Sequence, residues 1–226
     1  PEAIVIETPR VGKTHALNIG RLAAPPEAPI IFLDADLDVT AEDLRALVAP
    51  LLRGEALAAC GRMDVRTESS SPMVRAFYRG WRLNPYFGQG KFGGLFALSH
   101  VGAARVFPLP GVIADDEFIR RSFSRTETVF VRECVFTARA PSRLSNLISV
   151  RLRTLRGARA IARMGLPSPE KGSGLHMARQ VLSRPAEVYP FAVFAAVTAW
   201  TRLRLALEAG RAPERWERDM TSRVEG

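Results

Sequence analysis

Short apolar runs alternate with helical patterns through the first 140 residues, and that alternation leaves few fold classes open. Ala3–Ile6, Ile30–Leu33, Ala56–Val65, Leu95–Leu98 and Thr128–Thr137 read as strands. Between them, Lys13–Ala23, the stretch from Thr40 to about Leu52, a segment carrying Met73, Phe77, Tyr78 and Trp81, and Ala114–Phe123 read as helices. Local chemistry marks the joints. Pro25-Pro26 ends the first helix, because proline cannot continue helical hydrogen bonding. Thr40 is a good N-cap, with Glu42 and Asp43 in the first turn behind it. Ser69-Ser70-Ser71-Pro72 is a loop, and a glycine-rich stretch from Gly88 to Gly94 feeds the strand Leu95–Leu98. Strands alternating with helices predict an α/β protein, a sheet with flanking helices.

Beyond Ser142 the character changes. Arg143–Met164 is a long helical pattern with arginines at 151, 153, 156, 159 and 163. Pro167–Gly174 reads as a linker and Leu175–Leu182 as a short helix. Val188–Leu207 is an apolar stretch interrupted by Pro190, Arg202 and Arg204. Its uncharged part is shorter than the roughly 20 residues that span a bilayer, so an interfacial helix or one packed on the core is expected. The chain therefore divides into a core over 1–140 and a helical, arginine-rich region over 141–226.

Charge follows the same division. Residues 1–138 hold 16 basic and 16 acidic side chains, whereas residues 139–226 hold 16 basic and 7 acidic, which accounts for the whole net charge of +9. A basic tail beside a neutral body points to phosphate groups or an anionic membrane surface. The aromatics are not interleaved with the basic residues as in a base-stacking platform, so nucleic acid is not an expected partner. Only Lys13, Lys91 and Lys171 among the 32 basic residues are lysines, which together with abundant alanine fits a GC-rich bacterial coding sequence. A hydrophobic content of 47% supports a sizeable core and excludes disordered or collagen-like classes. Cys60 and Cys134 are far apart in sequence and form no C-x-x-C, so they are expected as two buried thiols.

Three motifs carry possible chemistry. Asp34-Ala35-Asp36 follows an apolar strand, where ligands of open α/β sheets bind. Paired carboxylates there either hold a hard divalent cation or simply solvate a turn. Asp115-Asp116-Glu117 opens a helix, as dipole-compensating acids or as a carboxylate base. Gly12-Lys13-Thr14 has the end of a P-loop, which opens a phosphate-hydrolase alternative, although Glu7 stands where that loop needs its first glycine. His15, His100 and His176 have no metal-ligand spacing. A non-enzymatic, basic membrane-binding module is the other alternative.

Taken in order, these motifs resemble the family 2 glycosyltransferases of the GT-A fold, which implies a Rossmann-like mixed sheet with flanking helices. Gly12-Lys13-Thr14-His15-Ala16-Leu17-Asn18-Ile19-Gly20 is similar to that family's G-K-x-x-A-L-N-x-G helix start. Asp34-Ala35-Asp36 stands at its D-x-D, Gly93-Gly94-Leu95-Phe96-Ala97-Leu98-Ser99 at its glycine-led acceptor-side strand, and Ala114-Asp115-Asp116 at its T-E-D-type motif. The resemblance covers roughly residues 3–160. It implies an inverting transferase that moves a sugar from a nucleotide-sugar donor to a hydroxyl acceptor, a glycan or lipid such as a growing cell-envelope polysaccharide. Asp36 with Asp34 would hold Mg²⁺ or Mn²⁺ on the donor diphosphate, and Lys13 would lie near the nucleotide. Asp116 would be the base, with Asp115 beside it, and Gly93 and Gly94 would let the acceptor approach the backbone.

Departures from the family pattern qualify those expectations. The family begins with a nucleotide-binding β-α unit, so a unit missing before Pro1 is expected, and the chain as given could be inactive. Processive members carry Q-x-x-R-W, whereas Val150-Arg151-Leu152-Arg153-Thr154-Leu155-Arg156-Gly157 keeps arginines without Gln or Trp, which favours non-processive transfer. Arg151, Arg153 and Arg156 are candidates for diphosphate or lipid contact. The expected location is cytoplasmic, peripheral at the inner face of the plasma membrane.

Overall fold

A computed structural model describes residues 4–9, 12–84, 92–166, 181 and 183–208. Its described residues contain five strands, β1 (Ile30–Leu33), β2 (Leu37–Asp38), β3 (Ala58–Arg66), β4 (Leu95–Leu98) and β5 (Thr128–Arg139). The helices are α1 (Lys13–Ala23), α2 (Ala41–Leu52), α3 (Pro72–Trp81), α4 (His100–Val106), α5 (Asp115–Arg121), α6 (Leu144–Arg163) and α7 (Val188–Leu207). The strands form one mixed sheet in the order β1-β4-β3-β5-β2. β4 runs antiparallel between β1 and β3, β3 is parallel to β5, and β2 is antiparallel to β5. The carboxyl ends of β1, β3 and β5 therefore point the same way.

β4 explains why the sheet needs helices on both faces. All four of its residues are buried. Successive side chains of a strand point to opposite faces, so Phe96 and Leu98 enter one core while Leu95 and Ala97 enter the other. The first core adds Phe32, Cys60 and Phe92 from the sheet side, Ala103 and Val106 from α4, Ile119 from α5, and Phe123 just past it. The second is roofed by Leu47 and Leu51 of α2. Thr40 caps α2 as expected, in a reciprocal pair: its hydroxyl accepts from the Asp43 backbone N–H, and the Asp43 carboxylate accepts from the Thr40 N–H. α1 stops where Ala24 turns extended ahead of Pro25.

A third core lies beyond the sheet, where Val74 and Phe77 of α3, Leu147 of α6, and Val193 and Val197 of α7 meet Val65 at the end of β3. α7 lies so close to α3 that a side-chain carbon at Gly80 would fall 2.3 Å from the Pro190 carbonyl oxygen. The apolar Val188–Leu207 stretch is thus packed on the core by one face, and no helix among the described residues is long and apolar enough to cross a membrane.

Several expectations change. Residues 4–8 form no strand, and Ile4 and Val5 are 80% and 82% exposed. An isolated apolar run has no ladder to satisfy its backbone, and among the described residues β1 pairs only with β4. β2 and α4 were not anticipated; β2 is two residues long, and α4 is a seven-residue helix capped by the Ser99 hydroxyl accepting from the Gly102 N–H. The predicted Pro167–Gly174 linker, the Leu175–Leu182 helix apart from Val181, and the Gly88 and Gly90 part of the glycine run lie outside the described residues. Both cysteines are free and buried, and burial pushes the thiol of Cys60 up to about 12 and that of Cys134 to about 11.

Candidate active site

Lys13 occupies the first position of α1, behind Gly12, whose φ of +149° lies where side-chain-bearing residues rarely go. A cation at a helix N-terminus opposes the helix dipole and needs compensation from elsewhere. Two carboxylates supply it. The Lys13 ammonium lies 2.9 Å from Asp34 Oδ1 and 3.1 Å from Asp115 Oδ2, so these two oxygens are at most about 6 Å apart. Burial disfavours the ammonium, yet the attraction of Asp115 and Asp34 and the hydrogen bonds to both outweigh it and hold the Lys13 pKa above its ordinary value.

Each partner is placed by its own element. Asp34 is the first residue past β1, and its backbone N–H donates to the Gly94 carbonyl oxygen at 2.8 Å. Gly94, at φ +89°, leaves the room the Asp34 side chain occupies: a side-chain carbon there would sit 2.7 Å from Asp34 Oδ2. Asp115 opens α5 and is buried, with 6% of its side chain exposed. Asp116, next to it, is half-buried, and its Oδ1 accepts from the Glu117 N–H at 2.8 Å. Asp36 lies in the turn after Asp34 and is exposed.

Asn18 holds the assembly together one and a half turns along α1. Its side-chain amide donates to the Leu109 carbonyl at 3.0 Å and accepts from the Leu109 N–H at 2.7 Å, a two-point clamp between α1 and the segment leading to α5. Asn18 stands in the Gly12–Gly20 motif, but no local signal marks this role, because its partner is 91 positions away. Within α5, Glu117 pairs with Arg120 and Arg121, with N···O distances of 2.8 and 2.7 Å. Desolvation raises the Glu117 pKa, but hydrogen bonds from these guanidiniums outweigh that and keep it below the usual carboxylate value.

The candidate arginines of α6 divide. Arg151 is largely buried, its guanidinium 5.9 Å above the Phe77 ring, and burial lowers its pKa. Arg156 pairs with Glu208 at 2.7 Å. Arg153 is half-buried, four residues before Gly157, the point where α6 touches the start of α5: a side-chain carbon at Gly157 would be 2.6 Å from the Ala114 Cβ. Among the described residues no group of three or more His, Cys, Asp or Glu side chains is placed to hold a metal ion. Asp34 and Asp36 are two carboxylates at one open turn. That fits a hard cation which takes its other ligands from phosphate oxygens and water.

An open carboxyl-end site, with paired acids after β1 facing an acid-opened helix, belongs to an α/β ligand-binding class. Residues 1–106 match the model described as "Glycosyl transferase family 2". No curated protein matches. Among solved structures, the chain is similar to glucosyl-3-phosphoglycerate synthase from Mycobacterium tuberculosis, solved with phosphoglyceric acid, at 19% identity and a TM-score of 0.45 over 72% of this chain and 58% of that one. A second is described as a mycobacterial protein, at 19% identity and a TM-score of 0.43 over 72% and 55%. The chain thus spans somewhat more than half the length of these structures.

Proposed function

We propose that the chain forms the core of a glycosyltransferase that moves a sugar from a nucleotide-sugar donor to a hydroxyl acceptor with inversion, without processive elongation. The observation carrying this is the Lys13 ammonium joined to both Asp34 and Asp115, which brings the D-x-D turn and the acid-opened helix to one site. The family match over residues 1–106 supports the reaction class.

Roles follow from environment. Asp115 is buried and committed to Lys13, so it anchors the helix start rather than exchanging protons. Asp116 is the base: half-buried beside it, it takes the proton of the acceptor hydroxyl as that oxygen attacks the anomeric carbon. Asp36, with Asp34, would hold Mg²⁺ or Mn²⁺ against the donor diphosphate. That cation supplies neutralisation of charge on the departing nucleotide. Gly94 packs against Asp34, so Gly93 and Gly94 are the residues assigned to close approach of the acceptor, and Arg153, four residues before the contact of α6 with α5, is the candidate for the donor diphosphate. Catalysis belongs to residues 1–140 and support of α5 to the helical region. A P-loop hydrolase fits less well, since residues 4–8 form no strand before Gly12 and Lys13 is held by carboxylates.

The test is turnover of a panel of nucleotide sugars by the complete protein, with Mg²⁺, Mn²⁺ or chelator and hydroxyl acceptors. Metal-dependent release of nucleotide coupled to glycoside formation is expected. Hydrolysis of ATP or GTP that Lys13→Ala abolishes, with no donor turned over, overturns the proposal.

A further inference from the structure

α7 has two apolar faces, and the described residues cover one of them. Pro190, Val193, Val197, Thr201 and Leu205 face inward and are buried. On the opposite side Tyr189, Trp200, Leu203 and Leu207 are 60%, 54%, 53% and 75% exposed, joined by the small exposed side chains of Ala192, Ala196 and Ala199. With about 3.6 residues per turn these fall along one stripe, and Arg202 and Arg204, both exposed, flank it on either side. The Tyr189 hydroxyl reaches the Met73 sulfur of α3 at 3.5 Å, and Met73 is itself 40% exposed, so the patch continues onto the neighbouring helix.

We infer that this face of α7 lies on an anionic bilayer surface, with the helix parallel to the membrane plane. An apolar stripe bordered by arginines suits the boundary between headgroups and acyl chains, and the rings of Trp200 and Tyr189 have the mixed character favoured there. The charge agrees: the excess of 16 basic over 7 acidic residues is confined to 139–226. A second copy fits this face less well. The flanking arginines would meet one another's stripe, and the described acids bordering α7 are engaged within the chain, Glu187 by Arg79 and Glu208 by Arg156 and Arg204. The inference does not depend on the transferase reading, and its test reads no activity.

The experiment is co-sedimentation of the complete chain with vesicles of phosphatidylcholine alone or with about one third phosphatidylglycerol, comparing wild type with Leu203→Glu/Leu207→Glu. Both leucines are exposed, so the variant is expected to keep the wild-type circular dichroism spectrum and melting temperature. Expected results are binding to the anionic vesicles, weakening as salt is raised, and a loss of about tenfold or more in the variant, which forfeits two buried leucines and adds like charge. Three results would each overturn the inference: no sedimentation with anionic vesicles, equal binding by the double variant, or a dimer in light scattering that the double variant dissociates while vesicles go unbound.

Discussion

The ammonium of Lys13 and the buried carboxylate of Asp115 meet at 3.1 Å, although they open helices from opposite ends of the core. Asp115 has almost no exposed side-chain surface, so its charge rests on this partner. Removing one member of a buried pair leaves the other uncompensated, at a cost of about 3–5 kcal/mol. The ammonium is 39% exposed, so solvent softens that. Lys13→Met is expected to cost about 1–3 kcal/mol in denaturant unfolding and to lower transfer, because the turn bearing Asp34 and the helix bearing Asp116 lose their link. Lys13→Arg should retain part of both. Unchanged stability in Lys13→Met would show that the pair does not hold the site.

Asp116 and Asp36 should separate kinetically. Loss of a general base lowers turnover by about 10²–10⁴-fold, so Asp116→Asn is expected to reduce kcat with little change in donor KM. Asp36→Asn is expected to raise donor KM and the Mg²⁺ or Mn²⁺ concentration needed for half-maximal rate. Steady-state kinetics at varied donor and metal read both. Full rates in both variants would remove these roles.

Gly94 has two demands on it, a left-handed φ of +89° and the space filled by Asp34. Gly94→Ala adds backbone strain of about 1–3 kcal/mol and pushes the Asp34 carboxylate aside. A displacement near 1 Å can cost about 100-fold in rate, so activity should fall far more than thermal stability. Equal losses in both would mean that Gly94 serves the fold alone.

The pairing of Glu117 with Arg120 and Arg121 predicts a pH dependence of stability. The folded-state pKa of Glu117 lies below its unfolded value. Its contribution is therefore present above the ordinary carboxylate pKa and is lost as pH falls through the folded value. The melting temperature of wild type should exceed that of Glu117→Gln at neutral pH, with the gap closing in the acid range below about 4. A gap unchanged into that range contradicts the pairing.

The contact between Gly80 and Pro190 makes α7 sensitive to one methyl group. Gly80→Ala forces backbone apart at 2.3 Å and is expected to destabilise by about 1–3 kcal/mol, as overpacked sites do. Thermal melts with hydrogen exchange should show protection lost first in α3 and α7. Wild-type melting and exchange would show that the helices shift without penalty.

What the sequence determined by itself is mostly local. The bounds of α1, β1 and β4, the cap of α2 at Thr40 and the arrest of α1 at Pro25 were legible because proline, capping side chains and apolar periodicity act within a few residues. So were the acids at 34, 36, 115 and 116 and the order of motifs in the segment that matches the family 2 model. Tertiary structure decided what no local pattern encodes. Ala3–Ile6 reads as a strand, yet its described residues 4–6 join no strand of the described sheet, because a strand exists only through its neighbour's hydrogen bonds. Asp115 and Asp116 are adjacent and chemically alike in sequence. Packing alone buried one against Lys13 and left the other half-open, because burial and charge pairing are long-range quantities set by residues a hundred positions away.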